Sequence, residues 1–213
     1  MSDQFGTIVT RWQVEQALIA VLQQPPPSPA TGPALVYYLA EVERQMGLPA
    51  QTLGAPPGPS SYRGGADALT MQPEWFPMVT IVAEPDGAPE YLDAYTVGQS
   101  YRARAVCYVG NDSEDTARMV ADGYGAAVAR CILDFGSLGG LSAQTRLISA
   151  PSTEPLDGQN VRQVMVCTVG FSVLIAPVFT LGAPSVWQAS PYTSPGALPA
   201  VQTTDVTVAA QPL

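Results

Sequence analysis

The sequence contains neither histidine nor lysine, and its nine basic residues are all arginine. Histidine titrates nearest neutral pH and is the commonest metal ligand and general base, so these roles lose their usual residue. Without lysine there is no Schiff-base chemistry and no P-loop lysine. Carboxylates, Tyr, Ser, Thr and three Cys are the groups left for catalysis. These absences predict that the protein is not an enzyme.

Charge of either sign is scarce. Only 13% of the residues are charged, about half the usual share, and the hydrophobic share of 46% is enough for one core. Low charge density leaves neutral surface, which suits burial between subunits. The net charge of −9 argues against a basic patch that grips nucleic acid. It is compatible with DNA that passes by without specific binding.

The three cysteines, Cys107, Cys131 and Cys167, are far apart, and each lies in an apolar stretch. No CxxC spacing indicates zinc or redox chemistry, so we predict buried free thiols, which fit a reducing cytosol. Residues 1–10 lack the charged and apolar regions of a signal peptide. No apolar stretch reaches the roughly 20 residues that span a bilayer. We therefore expect no association with a membrane.

Three proline-rich stretches, 23–33, 48–59 and 176–213, divide the chain. Helical periodicity predicts a first helix over 10–23, capped by Thr10, and a second over 33–46, ended by Gly47. Residues 56–68 are predicted to form a surface loop. The predicted core stripes of the two helices are Val14, Ala17, Leu18, Val21 and Leu22, and Leu35, Tyr38, Leu39, Val42 and Met46.

The central region alternates in the manner of strands around one long helix. Strands are predicted over 76–83 and 91–109, separated by an acidic turn, with Gly98 marking a break or bulge. A helix over 112–135 follows, with Asp112 as its N-cap. Strands over 141–150 and 161–175 then flank a turn at Asp157 and Gly158.

This order predicts an α+β fold: an antiparallel or mixed β-sheet with one main helix packed on a face, N-terminal helices and an extended C-terminal arm. The expected divisions are 1–70, with the N-terminal helices and proline-rich loops, the α+β core over 71–176, and the arm over 177–213. The arm has nothing of its own to fold around, so it is either disordered or ordered by another subunit. Its segment 201–209 (VQTTDVTVA) has the composition of a strand that adds to a neighbouring sheet edge.

Two motifs imitate catalytic or metal sites. Asp134, Phe135 and Gly136 spell the metal-binding triplet of protein kinases, but no glycine-rich loop or strand lysine accompanies them. Asp112, Glu114 and Asp115 resemble part of a calcium loop without its glycine and terminal glutamate. We interpret them as a helix end and a helix start, and we predict no metal and no cofactor. Glu41, Glu43 and residues 86–90 are predicted to be solvated.

Arg102 and Arg104 lie on one face of the long strand. Two such arginines are usually solvated or paired with carboxylates, but arginine is also enriched at subunit interfaces. The candidate subunit interface consists of Arg102, Arg104, Val201, Val206 and Val208.

Residues 101–177 carry a family resemblance. The segment YRARAVCYVG is followed by SEDTARMVADGYGAAVARCILDFGSLGG, then by SAQTRLISAP and VRQVMVCTVGFSVLIAP. A strand with alternating arginines, an alanine-rich helix ending near SLGG and two strands resemble the tail terminator proteins of bacteriophages with long, non-contractile tails, especially those of actinobacteria. The proline-rich segments are outside this pattern.

The resemblance implies a structural virion protein of the tail and neck, assembled in the cytoplasm of the host bacterium. Such terminators form a ring, typically a homo-hexamer, that caps the tail tube and halts its polymerisation. The implied partners are further copies of the chain, the major tail tube protein and the head-connector or stopper protein. DNA passes through the lumen of the ring.

Three other interpretations of the function remain open. The chain could be a different neck protein, such as a head-closure or tail-completion ring. It could be a tail-tube or capsid-decorating subunit, which is normally richer in β-strand and polymerises with itself. It could also be a carboxylate-based enzyme.

Overall fold

The computed structural model describes residues 8–26, 32–65, 76–93, 96–156 and 163–180. Over these residues the chain has the predicted α+β fold, with three α-helices and a six-stranded sheet. The helices are α1 (Arg11–Gln23), α2 (Ala34–Met46) and α3 (Glu114–Asp134). The strands are β1 (Tyr62–Gly64), β2 (Met78–Pro85), β3 (Glu90–Tyr91), β4 (Thr96–Asn111), β5 (Gln144–Pro155) and β6 (Gln163–Thr180).

The sheet is mixed and mostly antiparallel, in the order β1-β2-β4-β6-β5, and the short β3 adds to β4. Only the β1–β2 pair among the described strands is parallel. The long strands β4 and β6 form its centre, where Cys107 lies opposite Cys167. The predicted bulge at Gly98 is confirmed, because the register between β4 and β6 shifts between Val97 and Gln99.

One face of the sheet, here called the helix face, packs against the helices. α3 contacts β4, β5 and β6, α1 contacts β1 and β2, and α2 packs against α3 and α1. The predicted alternation of β4 is confirmed: Tyr101, Ala103, Ala105, Cys107 and Val109 are buried on this face. The N-terminal helices and the sheet share one hydrophobic core, whose largest fully buried side chains include Tyr124, Phe171, Leu18, Leu22 and Leu35.

The predicted helices are present, with corrections at their ends. Thr10 caps α1 through a capping box with Gln13, and Gly47 ends α2 in the left-handed conformation. The N-cap of α3 is Ser113 and not Asp112, so this helix starts later than predicted. Met46 was predicted to be a core residue but is 44% exposed, because it occupies the last position of α2, beyond the turns that pack.

Three strand predictions also need correction. The expected loop over 56–68 contains β1, which three residues form by pairing with β2. The strand expected to start at 91 is divided into β3 and β4. β6 runs on to Thr180 because Pro177, which lacks an N–H, lies where the β4–β6 register is irregular. The predicted turn at Asp157 and Gly158 and the arm after Thr180 are outside the described residues.

Candidate assembly surfaces

The two predicted interface arginines lie on the face of β4 opposite the helices, here called the far face. Arg102 Nη2 is 3.2 Å from Asp86 Oδ1, and Arg104 Nη2 is 3.9 Å from Glu84 Oε1. All four side chains remain substantially exposed. Exposed pairs of this kind contribute about 0–1 kcal/mol to folding. The two arginines therefore have partners within the chain and still present their guanidinium groups to solvent.

A small second hydrophobic cluster lies at one end of the far face. Met78, Tyr108 and Val166 from three adjacent strands are buried there, and Phe76, Val106 and Leu156 pack against them. Burial raises the pKa of the Tyr108 hydroxyl. None of the described helices packs on this face. The far face therefore combines an apolar patch at one end with paired charges at the other.

The edge of the sheet at β5 is long and exposed. β5 pairs only with β6 among the described strands, and ten of its twelve residues are exposed. Leu147 is 40% exposed and Ile148 is 50% exposed. From Leu147 onward the strand is interrupted by two register shifts and by Pro151 and Pro155, which are features that protect an edge from further pairing. Residues 144–147 precede these interruptions.

The opposite edge is covered. β1 pairs with β2 only over three residues, after which the Gly65 N–H donates to the Ile81 carbonyl at 2.8 Å. Beyond it, the Ala83 N–H donates to the Glu15 carboxylate of α1 at 3.0 Å. α1 thus satisfies the strand edge where β1 ends. Among the described strands, β5 is the edge that remains without a second partner.

A hairpin between β2 and β4 carries exposed apolar side chains. Tyr91 is 77% exposed and Leu92 is 53% exposed. Leu92 lies over Gly98, where a Cβ atom would be 3.3 Å from Leu92 Cδ1. The acidic residues Asp86 and Glu90 of the same hairpin are exposed, as predicted. This end of the sheet therefore presents apolar and acidic side chains together.

The kinase-like triplet closes α3, as predicted. Asp134 is the last residue of the helix and Phe135 is its C-cap. The Asp134 carboxylate accepts hydrogen bonds from Tyr38 Oη at 2.7 Å and from Arg130 Nε at 3.0 Å, so it ties α3 to α2. Burial, followed by the bond to Asp134, raises the pKa of Tyr38 above its ordinary value. The carboxylate has a structural role in this arrangement.

The cysteines are buried and free, as predicted. Burial raises the pKa of Cys131 to about 12 and raises those of Cys107 and Cys167 as well. A thiol is a nucleophile or a metal ligand only as the thiolate, which these raised values disfavour at neutral pH. Among the described residues no group of three or more potential ligand side chains is arranged to hold a metal ion.

The prediction for the carboxylate of Glu43 was wrong. Glu43 was predicted to be solvated but is only 6% exposed. Its oxygens accept the backbone N–H groups of Gln51 at 3.0 Å and Leu53 at 2.7 Å. The turn after α2 folds back on the helix, and its donors take the place of water around the carboxylate.

Of the predicted interface residues, the structure places only the two arginines, because Val201, Val206 and Val208 are outside the described residues. Sequence reasoning missed the β5 edge, since residues 144–147 look like any other strand until the strand order is known. It also missed Glu15, although Glu15 has the helical spacing of a buried residue relative to Leu18, Ile19 and Leu22. In the part of the chain that the structure describes, no helix is long and apolar enough to cross a membrane.

The comparisons with known proteins give no family: no family model matches the chain, and no curated protein matches it.

Proposed function

We propose that this chain is a structural virion protein, a tail terminator that forms a closed ring, hexameric by resemblance. The ring caps the tail tube and joins it to the head connector, and DNA passes through its lumen without specific binding. The chain acts through its surfaces and requires neither a cofactor nor a catalytic group.

The observation that carries the proposal is the unit formed by the resembling stretch. Its strand with alternating arginines is β4, its alanine-rich helix is α3, and its last two strands are β5 and β6. β4 pairs with β6 over most of its length, and α3 packs across β4, β5 and β6. The segments that resemble a terminator therefore pack together as one module, with a far face and a β5 edge available for neighbours.

The surface of the described part of the chain is suited to permanent contact with other subunits. Large apolar side chains are strongly exposed on three separate elements: Trp12 on α1 is 64% exposed, Tyr91 on β3 is 77% exposed and Ile148 on β5 is 50% exposed. Only 13% of the residues are charged, so an interface on this surface removes few charges from water. It gains about 25 cal/mol for each Å² of apolar area that it buries. Because a ring subunit contacts a neighbour on each side, two different surfaces are needed.

The acidic balance supports the passage of DNA. A net charge of −9 repels phosphate and disfavours retention of the duplex at any point of a lumen. A tube that transports DNA requires this absence of strong binding.

The full-length protein tests the proposal directly. Native mass spectrometry and negative-stain microscopy should show closed rings of one fixed size. When the major tail tube protein of the same phage is added, the rings should shorten the tubes in proportion to the number of rings. A protein without rings, added at the same concentration, serves as the control for non-specific shortening.

Other outcomes would favour the alternatives. Open tubes of this chain alone would identify a tail-tube subunit. Rings that bind the head connector but leave tube length unchanged would identify a different neck protein. A monodisperse monomer with hydrolytic activity would overturn the structural proposal.

A further inference from the structure

The geometry points to a specific contact between subunits: the C-terminal segment 201–209 of one copy adds as a strand to the β5 edge of the next copy, along residues 144–147. Association of copies is taken from the proposed ring, so this inference rests on the proposed function. To the proposed ring it adds the surface, the β5 edge, and the segment, residues 201–209, through which neighbouring subunits are joined.

The edge is open over a short length. Thr145 anchors the start of β5 to the end of α3, because its hydroxyl donates to the Gly136 carbonyl at 2.6 Å. One edge of β5 pairs with β6. Along the opposite edge, residues 144–147 have no strand partner among the described residues. Pro151 and the register shifts after Leu147 limit an added strand to this first part. A segment of four or five residues fits.

The apolar side chains around this length are exposed. Leu147 is 40% exposed, and Leu133, near the end of α3, is 39% exposed. The Gly136 carbonyl that Thr145 binds comes three residues after Leu133, so these leucines lie at the same corner of the molecule. An added strand with apolar residues on its helix face would cover Leu147, which lies on that face opposite Phe171.

The segment 201–209 has the required pattern. Its sequence VQTTDVTVA combines β-branched residues with a single charge, Asp205. If Asp205 lies on the far face, the period of two places Val206 and Val208 on the helix face, with Leu147. The charge is complementary as well: Arg146 is exposed on β5 and forms no salt bridge with any described residue. Asp205 beside Arg146 would form a cross-strand pair.

The length of the chain after β6 allows the segment 201–209 to reach a neighbouring subunit. β6 ends at Thr180, six residues past Leu174, which pairs with the start of β5, so the two points are about 20 Å apart. Residues 181–200 are twenty residues, whose greatest possible length is about 60–70 Å. A domain of this size is about 40 Å across, so the spacer is long enough to reach the β5 edge of an adjacent copy.

A disulfide pair in the full chain tests the contact. We expect the double variant Arg146→Cys with Asp205→Cys to form covalent dimers and higher multimers under mild oxidation, with loss of the monomer band on a non-reducing gel. The matched control is Glu154→Cys with Asp205→Cys, since Glu154 is exposed on the same strand and face but beyond Pro151. This control should remain monomeric on the gel. The native cysteines are buried and present in both variants.

A charge exchange gives a second readout. Arg146→Asp should weaken association about two- to fivefold, the range of an exposed ion pair, and adding Asp205→Arg should restore it. Arg118→Asp, an equal charge change on the exposed side of α3, should not respond to Asp205→Arg.

Each other result overturns the contact. A disulfide within one subunit would show that the segment folds back on its own edge. Rings that form normally but give no cross-link would refute strand addition and leave the proposed function standing. A wild-type protein that forms no assembly would refute both.

Discussion

The Glu15 carboxylate on α1 accepts a hydrogen bond from the Ala83 backbone N–H on β2, at 3.0 Å, although 68 residues separate them in the chain. Glu15 is only 5% exposed. Arg11 Nε is 3.0 Å from the same carboxylate oxygen. Beside it, a Cβ on Gly64 would be 3.2 Å from Glu15 Oε2, so β1 approaches the helix at a residue without a side chain. One acidic side chain thus completes the sheet at the point where β1 ends.

Replacement of Glu15 should destabilise the fold. Glu15→Ala leaves a buried N–H without an acceptor, which we expect to lower the free energy of unfolding by about 1–3 kcal/mol. Arg11→Ala removes only the ion pair, whose arginine is 48% exposed, and should cost less than about 1 kcal/mol. Urea unfolding of the two variants measures the difference. Equal losses would show that the ion pair, and not the bond to Ala83, is the important contact.

Gly125 should be far less tolerant of a methyl group than Gly123, although both lie on α3. A Cβ on Gly125 would overlap Cys167 Sγ and would be 2.9 Å from Pro151 Cβ. A Cβ on Gly123 would meet the terminal carbons of Leu53, at 2.8 Å, which a rotamer change can move. Gly125→Ala should therefore cost about 1–3 kcal/mol, and Gly123→Ala less. Thermal unfolding tests this order, and a more stable Gly125→Ala variant would contradict the packing of α3 on β5 and β6.

Stability should fall at alkaline pH. Burial raises the pKa of Cys131 to about 12 from an ordinary 9.0, and that of Tyr62 to about 12 from 10.0. The folded protein therefore keeps protons that the unfolded chain releases. This stabilisation is complete below pH 9 and is lost as the pH rises toward 12, by up to about 1.4 kcal/mol per pH unit for each group.

Cys131→Ala should reduce that slope between pH 9 and 11, as measured by urea midpoints. Val128→Ala is the control, because it makes a cavity in the same helix without removing a titrating group. It should lower stability by the same amount at every pH. An unchanged slope in Cys131→Ala would show that other groups cause the alkaline loss.

Arg102 and Arg104 should matter more for association than for folding. Arg102→Ala and Arg104→Ala each remove one exposed ion pair, so we expect unfolding free energies within about 1 kcal/mol of wild type. If the far face is a subunit interface, both variants should raise the concentration at which rings dissociate. Arg118→Ala, exposed on α3, is the control for loss of a positive charge. Analytical ultracentrifugation distinguishes the two effects, and rings as stable as wild type would remove the arginines from the interface.

Much of the fold could be predicted because its signals are local. The helical stripe from Val14 to Leu22 and the strict alternation from Tyr101 to Val109 each bury one face, and the structure confirms both. The predictions were wrong where strand pairing or a turn determines whether a residue is in a strand or is buried. β1 is a strand only because β2 is beside it, and Glu43 is buried only because the next turn returns to it.

The candidate surfaces were less predictable. Arg102 and Arg104 could be placed on one face from periodicity, but their carboxylate partners depend on the register between β2 and β4. The β5 edge could not be identified, since nothing in the sequence of a strand states whether one or two neighbours will pair with it.

The sequence by itself determined most of the residues that face the core and the approximate extent of each helix, and it excluded catalysis by histidine or lysine side chains of this chain. These properties depend on residue chemistry and on periods of 3.6 or two residues. Only the tertiary structure decided that Glu15 covers the edge of β2, while β5 has no second partner among the described strands. Strand order arises from contacts between residues far apart in the chain, so the available edge is a property of the whole sheet and not of any one segment.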